Sequence, residues 1–113
     1  DRILWSDENA VLVYDAFPVS PGHMLAIPKR HIASFFQASP AEHQSLLAAL
    51  TEARGLAEHK IEPDGFNIGI NDGEAAGQTV PHLHVHLIPR FQGDAEDPRG
   101  GVRWVRAEAA RYW

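Results

Sequence analysis

The chain contains no cysteine. That excludes disulfides, thiolate nucleophiles and every zinc site built on sulfur. No apolar run approaches the roughly 18 residues that mark a membrane helix. Basic charge is also scarce: ten Lys and Arg face fifteen Asp and Glu, for a net charge of −5. A non-specific nucleic-acid binder needs a basic surface, so nucleic acid and membrane are both excluded as expected partners. An anionic ligand would have to be held by local donors rather than by a global field. No secretory signal is visible, and the lack of cysteine fits a reducing compartment, so the cytoplasm is the expected location. The chain opens on Asp1 rather than methionine, which leaves room for a preceding segment. No repeat, low-complexity tract or domain boundary interrupts it. Its 113 residues, 44% of them hydrophobic, predict one globular domain over 1–113.

Ile3-Leu4-Trp5 and Ala10 to Tyr14 read as two strands joined by the polar turn Ser6 to Asn9. Asp15 ends the second strand. As a residue type there it is a turn former or a ligand group, and the preference of Asp for turns favours the former. Phe17 to Gly22 is a loop, since two prolines and a glycine exclude regular structure. His23 to Pro28 predicts a third strand. Ser39-Pro40-Ala41-Glu42 opens a helix with an N-cap, a proline at the first position and a capping box. The helix should run to about Lys60, with Leu46, Leu47, Leu50, Ala53 and Ala57 as its buried stripe. His43 and His59 lie off that stripe and are expected in solvent. Phe66 to Asn71 alternates as a fourth strand, with Phe66, Ile68 and Ile70 on one face. Asp72 to Gly77 is a glycine-bearing loop that brings Asn71 near the following strand. Gly101 to Val105 predicts a short strand. Trp104, Tyr112 and Trp113 should pack on the domain or on a partner.

The most informative stretch is Gln78 to Pro89. His82, His84 and His86 alternate with Leu83, Val85 and Leu87, which predicts a strand bounded by Pro81 and Pro89 with three imidazoles on one face. Two chemistries from different classes suit that row. One is a metal site, because neutral imidazole binds zinc. The ends of a straight row are about 13 Å apart, however, and no carboxylate is in register to orient the rings. The other is covalent catalysis with a histidine attacking phosphorus. The imidazole reference pKa of about 6.5 allows a deprotonated nucleophile, and Gln78, Thr79 and backbone N–H groups suit the shifting phosphoryl charge. A third possibility is a nucleotide-binding module without turnover.

The run His82-Leu83-His84-Val85-His86-Leu87-Ile88 resembles the histidine-triad motif of the HIT superfamily. Gly77-Gln78-Thr79-Val80, Pro89-Arg90 and the segment Pro21 to His31 extend the similarity. The resemblance implies an α+β, HIT-like fold, with an antiparallel sheet of about five strands, one long helix and a short C-terminal segment. It implies a homodimer and nucleotidyl transfer or hydrolysis at an α-phosphate. His84 matches the nucleophile, His86 a donor to phosphate oxygen, and His82 the residue whose carbonyl fixes the nucleophile's tautomer. Thr79 matches a hydroxyl near the leaving group, while Gln78 and Asn71 match phosphate contacts. Asp15 matches a ribose ligand, which reverses the turn-former preference. Val13 and Ala16, with Ile3 or Leu4, match the base pocket of a purine nucleotide. No cofactor is implied beyond Mg accompanying the nucleotide. Relatives with a structural zinc use a Cys pair with two histidines matched by His31 and His82. Without the cysteines no metal is expected, and a His31–His82 hydrogen bond should replace it. The C-terminal Gly100 to Trp104 with Tyr112-Trp113 resembles bacterial members described as dinucleoside polyphosphate hydrolases.

Overall fold

A computed structural model describes residues 2–113. Five strands form one antiparallel sheet: β1 (Ile3–Ser6), β2 (Ala10–Tyr14), β3 (Met24–Pro28), β4 (Gly65–Gly69) and β5 (Val85–Arg90). Their spatial order is β1-β2-β3-β5-β4. One long helix, α1 (Pro40–Lys60), crosses between β3 and β4. The fold is therefore the α+β architecture expected from the motif.

Local chemistry accounts for the element boundaries. The Asp7 carboxylate accepts from the backbone N–H of Asn9 and Ala10 and closes the β1–β2 hairpin. Helix α1 begins with the predicted reciprocal cap between Ser39 and Glu42, which satisfies two otherwise orphaned N–H groups. Its buried face is Glu42, Leu46, Ala49, Ala53 and Ala57, set against Leu12, Met24, Ala26, Val85 and Leu87 from the sheet. Three alanines let the helix lie close to the strands. Leu47 was expected in this stripe but is 64% exposed, because it sits about 100° around the helix from Leu46.

Gly22 shows how tightly the loop before β3 is packed. Its φ is +81°, and an added Cβ would lie 2.5 Å from Ile61 Cδ1 and 3.3 Å from Pro89 Cγ. Only glycine meets both conditions.

Several sequence expectations shift. The fourth strand stops at Gly69, short of Asn71, and Ile68 is half exposed on the edge strand. His43 is half-buried rather than solvated, stacking on Phe35 with its Nε2 2.8 Å from the Phe35 carbonyl. Residues Gly101–Ala109 form a segment of 3-10 turns broken at Arg106 (φ −127°, ψ 87°), not a strand. It starts with Gly100 and Gly101 at φ +95° and +46°, a left-handed entry incompatible with extended pairing.

Candidate active site

The histidine stretch is only partly strand. β5 begins at Val85, so His82 and His84 precede it, and Pro89 lies inside it opposite Phe66. The register Ala26↔Val85 would place Leu83 opposite Pro28. Pro28 has no N–H to offer a ladder, and its carbonyl is taken by the His82 imidazole at 2.8 Å. The ladder therefore stops, and Leu83 N–H donates to Ile32 O instead. Pro89 is tolerated because its carbonyl side faces the loop before β3, where Ser20 Oγ donates to it at 2.6 Å. Burial still alternates through the whole stretch, with Leu83, Val85 and Leu87 almost fully buried.

The three histidines are not equivalent. His82 turns toward the β3 exit. It meets His31 edge-on at 4.8 Å between ring centroids, and its Nε2 bonds Pro28 O rather than His31. The expected His31–His82 hydrogen bond is thus replaced by a ring contact and a backbone bond. His84 and His86 rings lie 5.1 Å apart. His84 Nδ1 is 2.9 Å from the His82 carbonyl. A carbonyl only accepts, so Nδ1 carries the proton and the neutral ring presents a bare Nε2.

His86 is set by a residue that sequence reasoning did not select. The Val19 N–H donates to His23 Nδ1 at 3.1 Å. In neutral His23 the proton is therefore on Nε2, which lies 2.9 Å from His86 Nδ1. His86 Nδ1 accepts, and its Nε2 keeps the proton as a donor. Burial pushes both His23 and His86 below the ordinary imidazole value. For His86 the neighbouring His84 and His23 lower it further, and Asp15 opposes the shift at both rings. Hairpin register was the available signal for His23, since Val13↔Leu25 and Tyr14↔Met24 place Asp15 opposite it.

Asp15 has two roles in the structure. Its Oδ1 accepts from Phe17 N–H at 2.8 Å, which makes the predicted turn. Its Oδ2 lies 3.4 Å from His23 Nε2 and 3.9 Å from His86 Nδ1. A carboxylate does therefore stand beside the histidines, contrary to the expectation from register along a single strand. Among the described residues, Asp15, His23 and His86 are the group that could hold a metal ion, with ligand atoms within 4.8 Å of one another. Their imidazole and carboxylate donors are of the type zinc accepts.

The remaining candidates lie on β2 and its exit and on the loop before the histidines. Val13, Leu25, His86 and Gly69 form one cross-strand row on the sheet face opposite α1. Ala16 is exposed beside Asp15. Gln78 braces the loop: its Oε1 accepts from Gly73 N–H, and its Nε2 donates to Ala33 O and Val80 O. Asp72 ties the same loop to Ser34 and Phe35. Thr79 is exposed on it. Asn71 lines a cavity together with His23 and His86.

A five-stranded antiparallel sheet backed by one helix, with alternate histidines leading into β5, defines a protein of the histidine-triad class. The chain belongs to the HIT family: the HIT domain model matches residues 1–93. It is 42% identical over 77 residues to a bis(5'-nucleosyl)-tetraphosphatase (asymmetrical) of Schizosaccharomyces pombe, covering 68% of this chain and 42% of the relative. It is 36% identical over 84 residues to an AP-4-A phosphorylase of Mycobacterium tuberculosis, covering 74% and 43%. The chain thus spans less than half the length of these two relatives. A zinc-bound histidine triad family protein from Mycobacterium smegmatis superposes with a TM-score of 0.74 at 35% identity, covering 93% of this chain and 81% of that one. No helix among the described residues is long and apolar enough to cross a membrane.

Proposed function

We propose that this chain is a nucleotide hydrolase or nucleotidyl transferase acting at the α-phosphate of a dinucleoside polyphosphate or nucleoside phosphoramidate. The observation that carries this reading is the bond between His84 Nδ1 and the His82 carbonyl. It holds the ring with its Nε2 lone pair available for attack. The names of the fission-yeast and mycobacterial relatives support the substrate class.

In the first step His84 Nε2 attacks the α-phosphorus, and the bond to the leaving group breaks with its electron pair. Water then attacks the nucleotidyl-histidine, releasing the nucleoside monophosphate and restoring His84. His86 Nε2–H, Asn71 and the Thr79 hydroxyl stabilise the phosphoryl oxygens and the leaving group. Gln78 holds the loop that carries Thr79 in place beside the phosphate. Asp15 binds the ribose hydroxyls, and Val13, Ala16 and Ile3 or Leu4 contact a purine base. Mg accompanies the polyphosphate, and two subunits form a homodimer.

The test is trapping. Incubation with substrate followed by acid-free quenching and intact-mass measurement should show a nucleotidyl adduct, absent in His84→Asn. That variant should retain nucleotide binding and lose turnover by about a thousandfold or more. Substantial activity in it overturns the proposal. Tight binding with no product from any substrate would identify a binding module. The grouping of Asp15, His23 and His86 favours one further alternative, a metal-dependent reaction. A zinc-selective chelator used with Mg in excess separates the two: turnover should survive it, and loss restored by zinc would mark the metal route.

A further inference from the structure

A cavity of about 520 Å³ opens beside His86, over β5 and β4. Asn67 and Asn71 line it, and Val102, Trp104 and Val105 form an apolar wall. These last three residues lie beyond residue 93, where the match to the family model ends. The wall belongs to this chain's own C-terminal segment.

That segment is built rather than draped. Trp104 Nε1 donates to Arg99 O at 2.8 Å. Arg103 donates to Ala110 O and Ala109 O, and Ala110 is fully buried. Gly100 adopts φ +95°, and a Cβ there would meet the rings of Trp113 and Trp104 at 3.1 and 3.2 Å. Arg90 donates to Asn67 Oδ1 at 2.7 Å, which fixes that amide and leaves its Nδ2 as a donor at the cavity.

The position decides what the cavity receives. Sheet order is β2-β3-β5-β4. Val13 and Asp15 belong to β2 and its exit, whereas the cavity spans β5 and β4 and reaches back to His23 and Val19. A nucleotide with its base and ribose at β2 and its α-phosphate at the histidines directs its leaving group toward β4. Ammonia, phosphate or sulfate would leave an indole and two valines unused. A flat aromatic ring with a hydrogen-bonding edge uses both the wall and the Asn67 amide.

We propose that the cavity formed by the C-terminal segment and Asn67, with His86 and Asn71 at its phosphate end, binds the nucleobase on the leaving half of a dinucleoside polyphosphate. This rests on the proposed reaction at His84 and adds a specificity determinant to it.

Diadenosine tetraphosphate and adenosine 5'-tetraphosphate test the assignment, because both offer the same bond and only the first carries a second base. The ratio of their kcat/KM values is measured in the wild type, in Trp104→Ala and in Val105→Glu, the latter at a side chain so exposed that the fold tolerates a charge. The dinucleotide preference should fall about tenfold in both variants, within the range that stacking one base on an aromatic ring contributes. A ratio within about twofold of wild type in both overturns the proposal. If the wild type cleaves neither compound, the reaction at His84 fails separately. Calorimetry then reads the cavity alone: weaker binding of diadenosine tetraphosphate in the variants supports the subsite, and equal wild-type affinity for the two compounds overturns it.

Discussion

His23 Nε2 and His86 Nδ1 lie 2.9 Å apart, although 63 residues separate them in the chain. Because Val19 N–H already occupies the other nitrogen of His23, the direction of this hydrogen bond is determined. His86 must then present N–H at Nε2. Two histidines of the triad thus receive opposite tautomers from different backbone groups: His84 from the His82 carbonyl, and His86 from Val19 through His23.

Removing His23 should therefore lower turnover without removing a group that touches substrate. His23→Ala should reduce kcat by about 10–100-fold, with a smaller change in KM. His23→Gln should recover part of the loss, since an amide can donate to His86 Nδ1. Steady-state kinetics on the three proteins check this, and an unchanged kcat in His23→Ala would contradict it.

The same contact sets an acid limit. His23 and His86 both titrate below the ordinary imidazole value, chiefly because burial penalises their charged forms. A histidine with a depressed folded value contributes stability that is complete above its unfolded value, about 6.5. That contribution is lost as pH falls through the folded value. Protonating His86 Nδ1 also turns it into a donor facing another donor. The profile of kcat/KM should be level on the acid side down to about pH 6.5 and decline below it. An acid limb centred above that value would show that another group controls the rate.

Asp15→Asn keeps an oxygen for the turn to Phe17 N–H but removes the charge proposed to bind ribose. KM for ribonucleotide substrates should rise about 5–150-fold, the equivalent of 1–3 kcal/mol for hydrogen bonds to a charged group. Deoxyribonucleotides should respond less. Equal responses would remove Asp15 from the ribose site.

The Arg30–Glu42 pair links stability to acid pH away from the active site. Arg30 donates twice to Glu42 and, with the Ser39 backbone N–H, lowers the Glu42 carboxyl to about 2. The pair's contribution is present above the unfolded glutamate value of about 4.3. It disappears as pH falls toward 2. Glu42→Gln preserves a capping side chain while deleting the charge. Its Tm should be lower than wild type at pH 7, and the two should converge near pH 2. Parallel melting curves across that interval would contradict the assignment.

Much of the scaffold was readable from local chemistry. Ser39, Pro40 and Glu42 specify where α1 starts because capping involves neighbours three residues apart. The alternation from Leu83 to Arg90 predicts which side of β5 is buried because successive side chains point to opposite faces. The stripe of α1 was misjudged at Leu47 because hydrophobicity alone does not say where on the helix the sheet will press. Alternation alone extends the triad strand back to Pro81, whereas its actual start at Val85 depends on Pro28, a partner across the sheet.

By itself, the order of residues determined a histidine-rich strand, a capped helix and the family to which the pattern belongs. Only the tertiary structure decided which nitrogen of His84 and of His86 carries the proton and that His23 joins them. It also decided that Val102, Trp104 and Val105 wall a cavity beside His86. These features depend on contacts between segments far apart in sequence, and hydrogen-bond direction is set by whichever carbonyl or N–H the fold brings opposite each ring.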